Sequence, residues 1–237
     1  MNGRPVLAIT VGDPSGVGPE IAVKAARDPR VIEVCRPVLY GPHLAADLEP
    51  YPAGVVDAKS GRAAYDAIVS AVEDAQAGRV AGIVTAPINK ESFAAAGLSW
   101  RGHTDLLAEL CGVPEAAMMF WSERLRVVLA TVHIPLREVP ARLTTDGLLR
   151  TIRLTHASMP RFGVVLPRIG VAGLNPHAGE NGLLGGEDRD VIRPAIDSPS
   201  ARASATAGAM TAASSPPSRP PSPACGLRPV TASRGRG

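Results

Sequence analysis

The amino-acid sequence predicts an open α/β fold with a largely parallel sheet, on three observations. Short apolar runs rich in β-branched residues recur at residues 5–11, 36–40, 80–85, 126–132 and 168–174, the length and composition of strands buried on both faces. Stretches with helical apolar periodicity lie between several of them. Polar residues able to bind metal or substrate stand just past the ends of these runs, where open α/β sheets put their ligands.

The 237 residues allow one large or two small domains. Apolar content is 45% but aromatics only 3%, so the core must be built from Val, Leu, Ile and Ala. No apolar run approaches the roughly 20 residues of a membrane helix, and the start, Met1-Asn2-Gly3-Arg4-Pro5, shows no signal-peptide pattern. Cys35, Cys111 and Cys225 are odd in number and form no CxxC pair, so neither a disulfide framework nor a Cys-type zinc site is supported. The expectation is a reduced, cytoplasmic protein that contacts no membrane. The formal charge of +3 misleads. Residues 198–237 hold Arg202, Arg219, Arg228, Arg234 and Arg236 and no acid, and the rest of the chain carries 20 basic and 22 acidic residues. The basic character belongs to this tail, so nucleic-acid binding is not expected.

The first run, residues 5–11, leads into Gly12-Asp13-Pro14-Ser15-Gly16-Val17-Gly18-Pro19-Glu20 and then a helix over 21–26. Strand, Gly-rich turn and helix can aim backbone N–H groups at an anion. The spacing is neither that of a dinucleotide fingerprint nor of a P-loop, and a tight turn with a helix start is the simpler reading. Pro19 suits the first helical turn. After a second strand at 36–40, an amphipathic helix over 61–77 carries Ala64, Ile68, Val69 and Val72 on one stripe and ends at Gly78. His43, in the loop after that strand, reads as a surface residue. The strand over 80–85 precedes Ala86-Pro87-Ile88-Asn89-Lys90, where Lys90 at a helix start is unfavourable for the macrodipole and hints at an anion. Gly97 closes that helix. His103 then precedes a helix over 105–111 for which Thr104 is the expected N-cap. Residues 118–121 form a hairpin arm that turns into the run at 126–132. A helix over 145–160, capped by Thr144 or Thr145, holds a structural His156, and Glu187 and Asp188 suit the first turn of a last helix ending near 197.

The runs at 126–132 and 168–174 each deliver a histidine just past their end, His133 and His177. Two neutral imidazoles brought together make a first shell for Zn²⁺ or a similar ion, with Glu180 or Asp188 as available third ligands. Two unrelated loop histidines are the plainer alternative. His103 and Thr104 add polar donors suited to a phosphate or carboxylate. No Ser-His-Asp order or nucleophile elbow is present. Residues 198–237 are almost wholly Ser, Pro, Ala, Arg and Gly, which cannot bury enough apolar area to offset ordering entropy, so disorder is expected there. A genuine tail and a high-GC gene read out of frame both yield this composition. The break in mid-helix favours the out-of-frame reading.

Five collinear motifs resemble the 4-hydroxythreonine-4-phosphate dehydrogenases of pyridoxal phosphate biosynthesis. They are Gly12 to Glu20 as spelled above, Thr85-Ala86-Pro87-Ile88-Asn89-Lys90, Gly102-His103-Thr104-Asp105, Ala130-Thr131-Val132-His133-Ile134-Pro135-Leu136 and Gly173-Leu174-Asn175-Pro176-His177-Ala178-Gly179-Glu180. The resemblance covers residues 4 to about 197. It implies an isocitrate/isopropylmalate-dehydrogenase-like, two-lobed α/β/α fold, incomplete at its C-terminal part, and a homodimer with active sites between lobes and across the dimer interface. It implies NAD or NADP as hydride acceptor and a divalent metal (Zn, Mg or Co) that holds the reacting oxygens. The implied substrate is a small phosphorylated hydroxy-amino acid, oxidised at its 3-hydroxyl and then decarboxylated. His133 and His177 correspond to two of the family's three metal histidines, and His103 and Thr104 to its substrate contacts.

The chain departs from that pattern in places. No position in 198–237 corresponds to the third metal histidine and following aspartate, to the substrate-contacting Lys, Asn and Arg, or to much of the dinucleotide site. In the family the third histidine comes from the neighbouring subunit, so a dimer of this same chain does not supply it. The expectation is a partial dehydrogenase region over 1–197, inactive as written. The segment between Tyr40 and Gly61 is short, and Asp105 stands where Glu is usual. Relatives acting on 4-phosphorylated threonate or erythronate, or on cis-dihydrodiols, stay open as alternatives, as does a metal hydrolase using His133, His177 and Glu180.

Overall fold

Three of the predicted runs form one parallel sheet. Val6–Thr10 (β1) lies in the centre, flanked by Arg36–Tyr40 (β2) and Gly82–Thr85 (β3), in the order β2-β1-β3. Val6 pairs with Arg36 and Thr10 with Tyr40 on one side; Leu7 pairs with Gly82 and Thr10 with Thr85 on the other. The register brings the C-terminal ends of β1 and β3 side by side. Parallel strands need crossover connections, and helices provide them on both faces. The structure is a computed structural model; it describes residues 3–100, 102–178, 180–198 and 212–213. The chain divides into two compact units, Met1–Ala116 and Ala117–Gly237.

In the first unit Gly18–Arg27 (α1) follows the Gly-rich turn with Pro19 in its first turn, as expected. Pro29–Val34 (α2) is capped by the Asp28 carboxylate, and Ala45–Leu48 (α3) is a single turn. Ala58–Gln76 (α4) is the long amphipathic helix. It buries Ala64, Ile68 and Val72 of the predicted stripe together with Ala67 and Ala71. Lys90–Ala95 (α5) is capped by Asn89, whose side chain accepts from the N–H groups of Glu91 and Ser92. His103–Leu110 (α6) completes the unit. Alternation along β1 sorts the core. Ala8 faces Ala71 and Val80, whereas Ile9 and Val11 face Ala22. A third cluster joins Ala64, Ile68 and Val72 of α4 to Phe93 of α5 and Leu106 of α6.

The second unit contradicts two strand expectations. The run at 126–132 is not a buried parallel strand. Only Arg126–Val128 (β5) is extended, and it pairs antiparallel with Met119–Trp121 (β4) in a hairpin, Met119 opposite Val128. Its residues are exposed or half-buried. The expected hairpin turn at Ser122-Glu123-Arg124 is present, closed by the Ser122 hydroxyl and the Leu125 backbone. The hairpin competes successfully for β5 because its partner is only a few residues away, whereas a parallel neighbour needs a long crossover. The run at 168–174 contributes only Val171–Ala172 (β6), paired parallel with Ala212–Ala213 (β7). Val139–Arg142 (α7) is short. Thr145–Ser158 (α8) begins at the Thr144 cap, whose side chain accepts from the Gly147 N–H. A π-helical turn over Asp188–Ile192 runs into Arg193–Asp197 (α9). Leu148 and Ile152 of α8 pack on Ile192, Ala195 and Ile196. The expected disorder of 198–237 falls outside the described residues, apart from Ser198 and β7.

Candidate functional site

The first unit places two of the motifs against each other at the ends of adjacent parallel strands. Gly12 has φ +71, and a side chain there would collide with the carbonyl of Pro87. The Asp13 N–H donates to the same carbonyl at 2.9 Å, and the Ala86 N–H donates to Thr10 O at 2.9 Å. The Asp13 carboxylate accepts from the Ser15 N–H at 2.8 Å and from the Ser92 hydroxyl at 3.4 Å. The Ser15 and Ser60 hydroxyls lie 2.7 Å apart. Asp13, Ser15, Ser60 and Ser92 are all buried. The Gly-rich turn is therefore closed against the chain's own backbone and hydroxyls. That is the tight turn of the simpler reading, not an open anion cradle. Sequence reasoning missed the Asp13–Ser15–Ser60–Ser92 network. No local pattern announces it, because its members are brought together by α4 and α5. Lys90 is exposed at the first position of α5.

His103 opens α6, and Leu106, fully buried one turn later, docks that helix on α4 and α5. The preceding loop is held by Trp100, which stacks on Tyr65 at 5.4 Å and donates to Glu109 at 2.8 Å. His103 Nε2 is buried and has no hydrogen-bond partner among the described residues. Burial pushes the imidazole pKa down from 6.5, so the neutral ring prevails near neutral pH. A buried, unpaired ring nitrogen is costly unless something binds it. Thr104 is not the N-cap. The helix starts at His103, and Gly102 in extended conformation takes the cap with no side-chain bond. This start keeps Asp105 in the first turn, where its charge complements the helix dipole. Thr104 is half-buried within that turn.

The second unit holds His133 and His177. His133 is exposed and has φ +54, a left-handed conformation few non-glycine residues adopt. His177 is exposed, and its Nδ1 lies 2.8 Å from Glu180 Oε1. Among the described residues no three His, Cys, Asp or Glu side chains come together as a metal-binding group. Glu180 thus pairs with His177, and His133 does not complete a three-group set with them. Asp188, the other expected ligand, is engaged elsewhere: its Oδ1 accepts from the N–H groups of Leu174 at 2.9 Å and Asn175 at 3.2 Å. The Asn175 side chain accepts from the His177 N–H at 2.9 Å and donates to Glu187 at 3.1 Å. The Glu187 carboxyl is held below its ordinary pKa, first by its own backbone N–H and then by Asn175.

The family model of the pyridoxal phosphate biosynthetic protein PdxA matches residues 19–215. The chain belongs to this family. A 4-hydroxythreonine-4-phosphate dehydrogenase of Desulforapulum autotrophicum is 38% identical over 243 residues, covering 86% of this chain and 72% of that protein. A crystal structure of a 4-hydroxythreonine-4-phosphate dehydrogenase from Burkholderia phymatum is 37% identical, with a TM-score of 0.70 over 82% of this chain and 70% of the other. A terephthalate 1,2-cis-dihydrodiol dehydrogenase from Burkholderia xenovorans is 28% identical, with a TM-score of 0.57 over 89% and 72%. Membership of the PdxA family makes the chain an oxidoreductase of the dehydrogenase type, and its parallel α/β sheet agrees with the family's structures. No helix among the described residues is long and apolar enough to cross a membrane.

The donors of this PdxA-family chain suit a divalent metal in kind. Two imidazoles are exposed, and one has its Nδ1 against a carboxylate, as metal-binding histidines commonly do. In number they fall one short, because a structural or catalytic site of this sort takes at least three protein ligands. A nicotinamide dinucleotide goes with the family's dehydrogenase name. The Gly-rich turn does not fit it, since its space is filled by the chain's own Pro87 and Ser92.

Proposed function

We propose that this chain belongs to an enzyme that oxidises the 3-hydroxyl of 4-hydroxythreonine 4-phosphate with NAD or NADP and a divalent metal, within pyridoxal phosphate biosynthesis. The 3-hydroxyl carbon gives up a hydride and the hydroxyl a proton. The resulting 3-oxo acid loses its carboxyl as CO₂ and is protonated at the adjoining carbon, which leaves 3-amino-2-oxopropyl phosphate. The observation that carries the substrate role of the Gly102-His103-Thr104 motif is the buried Nε2 of a neutral His103, which has no hydrogen-bond partner among the described residues. A neutral imidazole can donate or accept one hydrogen bond at that atom, which orients a polar group of the substrate without competing for its protons. Thr104, in the same helical turn, offers a hydroxyl and stands at the free N–H groups of α6, a setting that favours an anionic substrate group.

His133 and His177 are the two metal ligands of this proposal, with Glu180 orienting His177. A metal bound there would act as a Lewis acid on the reacting hydroxyl and on the enolate left by decarboxylation. The chain contains five histidines, at 43, 103, 133, 156 and 177. None of the other three stands in the motif that the resemblance gives the third ligand histidine, and we infer that this polypeptide alone turns over no substrate. The two-lobed dehydrogenase architecture, the homodimer and a cytoplasmic setting belong to the same reading. So does the out-of-frame origin of residues 198–237, which resequencing of the coding DNA would test.

The cis-dihydrodiol reading is weaker, given the lower identity of that relative. The test is calorimetric binding of 4-hydroxythreonine 4-phosphate, 4-phosphoerythronate and a cis-dihydrodiol to the full chain, with nicotinamide reduction followed in parallel. Preferential binding of the first, lost in His103→Ala, is expected, with no reduction of NAD⁺ or NADP⁺. Tighter binding of either other ligand would overturn the substrate assignment. Metal-dependent turnover would overturn the need for a third histidine.

A further inference from the structure

The loop that carries His177 is long, exposed and rich in glycine, yet a candidate ligand must be held in place to be useful. The means of holding it lies on the far side of the loop, in Asp188, which the sequence offers as a helix-start acid or a third metal ligand. The π-helical turn Asp188–Ile192 and α9 are fixed in the core of the second unit: Ile192, Ala195 and Ile196 pack on Leu148 and Ile152 of α8. The Thr145 hydroxyl, at the start of α8, donates to Val191 O at 3.1 Å and ties the π turn to the same helix. Asp188 therefore projects from a rigid element. Its Oδ1 accepts two consecutive N–H groups, of Leu174 at 2.9 Å and Asn175 at 3.2 Å. Asn175 then turns back on the loop. Its Oδ1 accepts the His177 N–H at 2.9 Å, and its Nδ2 donates to Leu184 O at 2.8 Å and to Glu187 Oε2 at 3.1 Å. Both ends of the loop are thus gathered on one side chain. The chain passes Gly185 there, where a Cβ would lie 2.5 Å from Glu187 Oε2 and 2.9 Å from Asn175 Nδ2.

We propose that Asp188 is the positioning residue for His177, acting through Asn175. A carboxylate that collects two backbone donors makes charge-assisted bonds, stronger than the neutral bonds elsewhere in the loop. Asn175 relays that constraint to the His177 backbone, and Glu180 sets the ring by its contact with Nδ1. Asp188 and Glu180 are then supports and not metal ligands. The proposal rests on the reading of His177 as a metal ligand for its function, but not for its geometry.

Two measurements on the full chain separate these. The first is amide hydrogen exchange without metal. In Asp188→Ala, exchange at Leu174, Asn175 and His177 should accelerate together by roughly tenfold or more for each 1.4 kcal/mol of support lost, while the β4–β5 hairpin amides stay unchanged. Asp188→Asn keeps an acceptor oxygen and should restore most of the protection. Acceleration at Leu174 and Asn175 with no change at His177 would overturn the relay, as would unchanged exchange at all three. The second is zinc affinity, by competition with a chromophoric chelator. A roughly 10–100-fold loss is expected for Asp188→Ala, the range typical of outer-shell partners, and loss of the site for His177→Ala. Equal zinc binding by His177→Ala and the parent would remove His177 as a ligand and leave the exchange result to decide the role of Asp188. Loss of zinc in His177→Ala with full affinity in Asp188→Ala would overturn the proposal while sparing the ligand.

Discussion

The N–H of Asp13 donates to the carbonyl of Pro87 at 2.9 Å, which joins the turn after β1 to the loop after β3. Two motifs that are distant in sequence, 12–20 and 85–90, are thereby joined at the ends of neighbouring parallel strands. The Asp13 carboxylate extends the joint to the Ser15 N–H and the Ser92 hydroxyl. Asp13→Ala leaves these buried donors unsatisfied and should destabilise the first unit by about 1–3 kcal/mol. Asp13→Asn retains an acceptor and should cost less. Urea unfolding midpoints of the two variants check the order.

Gly61 sits where α4 meets α5, and a Cβ there would strike the Ser92 backbone. Gly61→Ala is normally favourable in a helix. Here it should destabilise by about 1–3 kcal/mol, because two backbones must separate. A higher thermal midpoint for this variant would refute the close approach of the helices.

Leu106 anchors the helix that carries His103. Leu106→Ala should cost roughly 2–5 kcal/mol. The His103 imidazole should also regain water, so its pKa rises back toward 6.5. Titration of the ring by NMR in the variant and the parent reads this directly.

The same shift makes stability depend on pH. The folded-state pKa of His103 lies below its unfolded value of 6.5, so the unfolded chain binds more protons as pH falls through that window. The contribution of neutral His103 is complete above pH 6.5 and is lost as pH falls through the lower, folded value. His103→Gln should flatten this part of the profile. The check is the denaturant midpoint of each protein across that range.

His133 holds φ +54. Glycine adopts this conformation freely, so His133→Gly should stabilise the second unit by about 1 kcal/mol, whereas His133→Ala should not. Both should lose zinc if His133 is a ligand. Equal thermal midpoints for the two variants would show that the backbone there is unstrained.

What the sequence determined by itself is the local grammar and the family. Short continuous apolar runs located β1, β2 and β3. The 3.6-residue period located α4, and Pro19 and Thr144 marked helix starts, because each of these signals acts between near neighbours. The motifs around His103, His133 and His177 marked the candidate site residues. Only the tertiary structure decided what those residues touch. It made residues 126–128 an exposed hairpin arm instead of a buried central strand, because a nearby antiparallel partner closes a short loop at small entropic cost. It buried Asp13 among hydroxyls from three separate segments and left His103 Nε2 without a partner among the described residues. It also turned Asp188 from a helix-start acid into the anchor of the His177 loop. Burial and hydrogen-bond partnership depend on segments distant in the chain, and no local pattern carries that information.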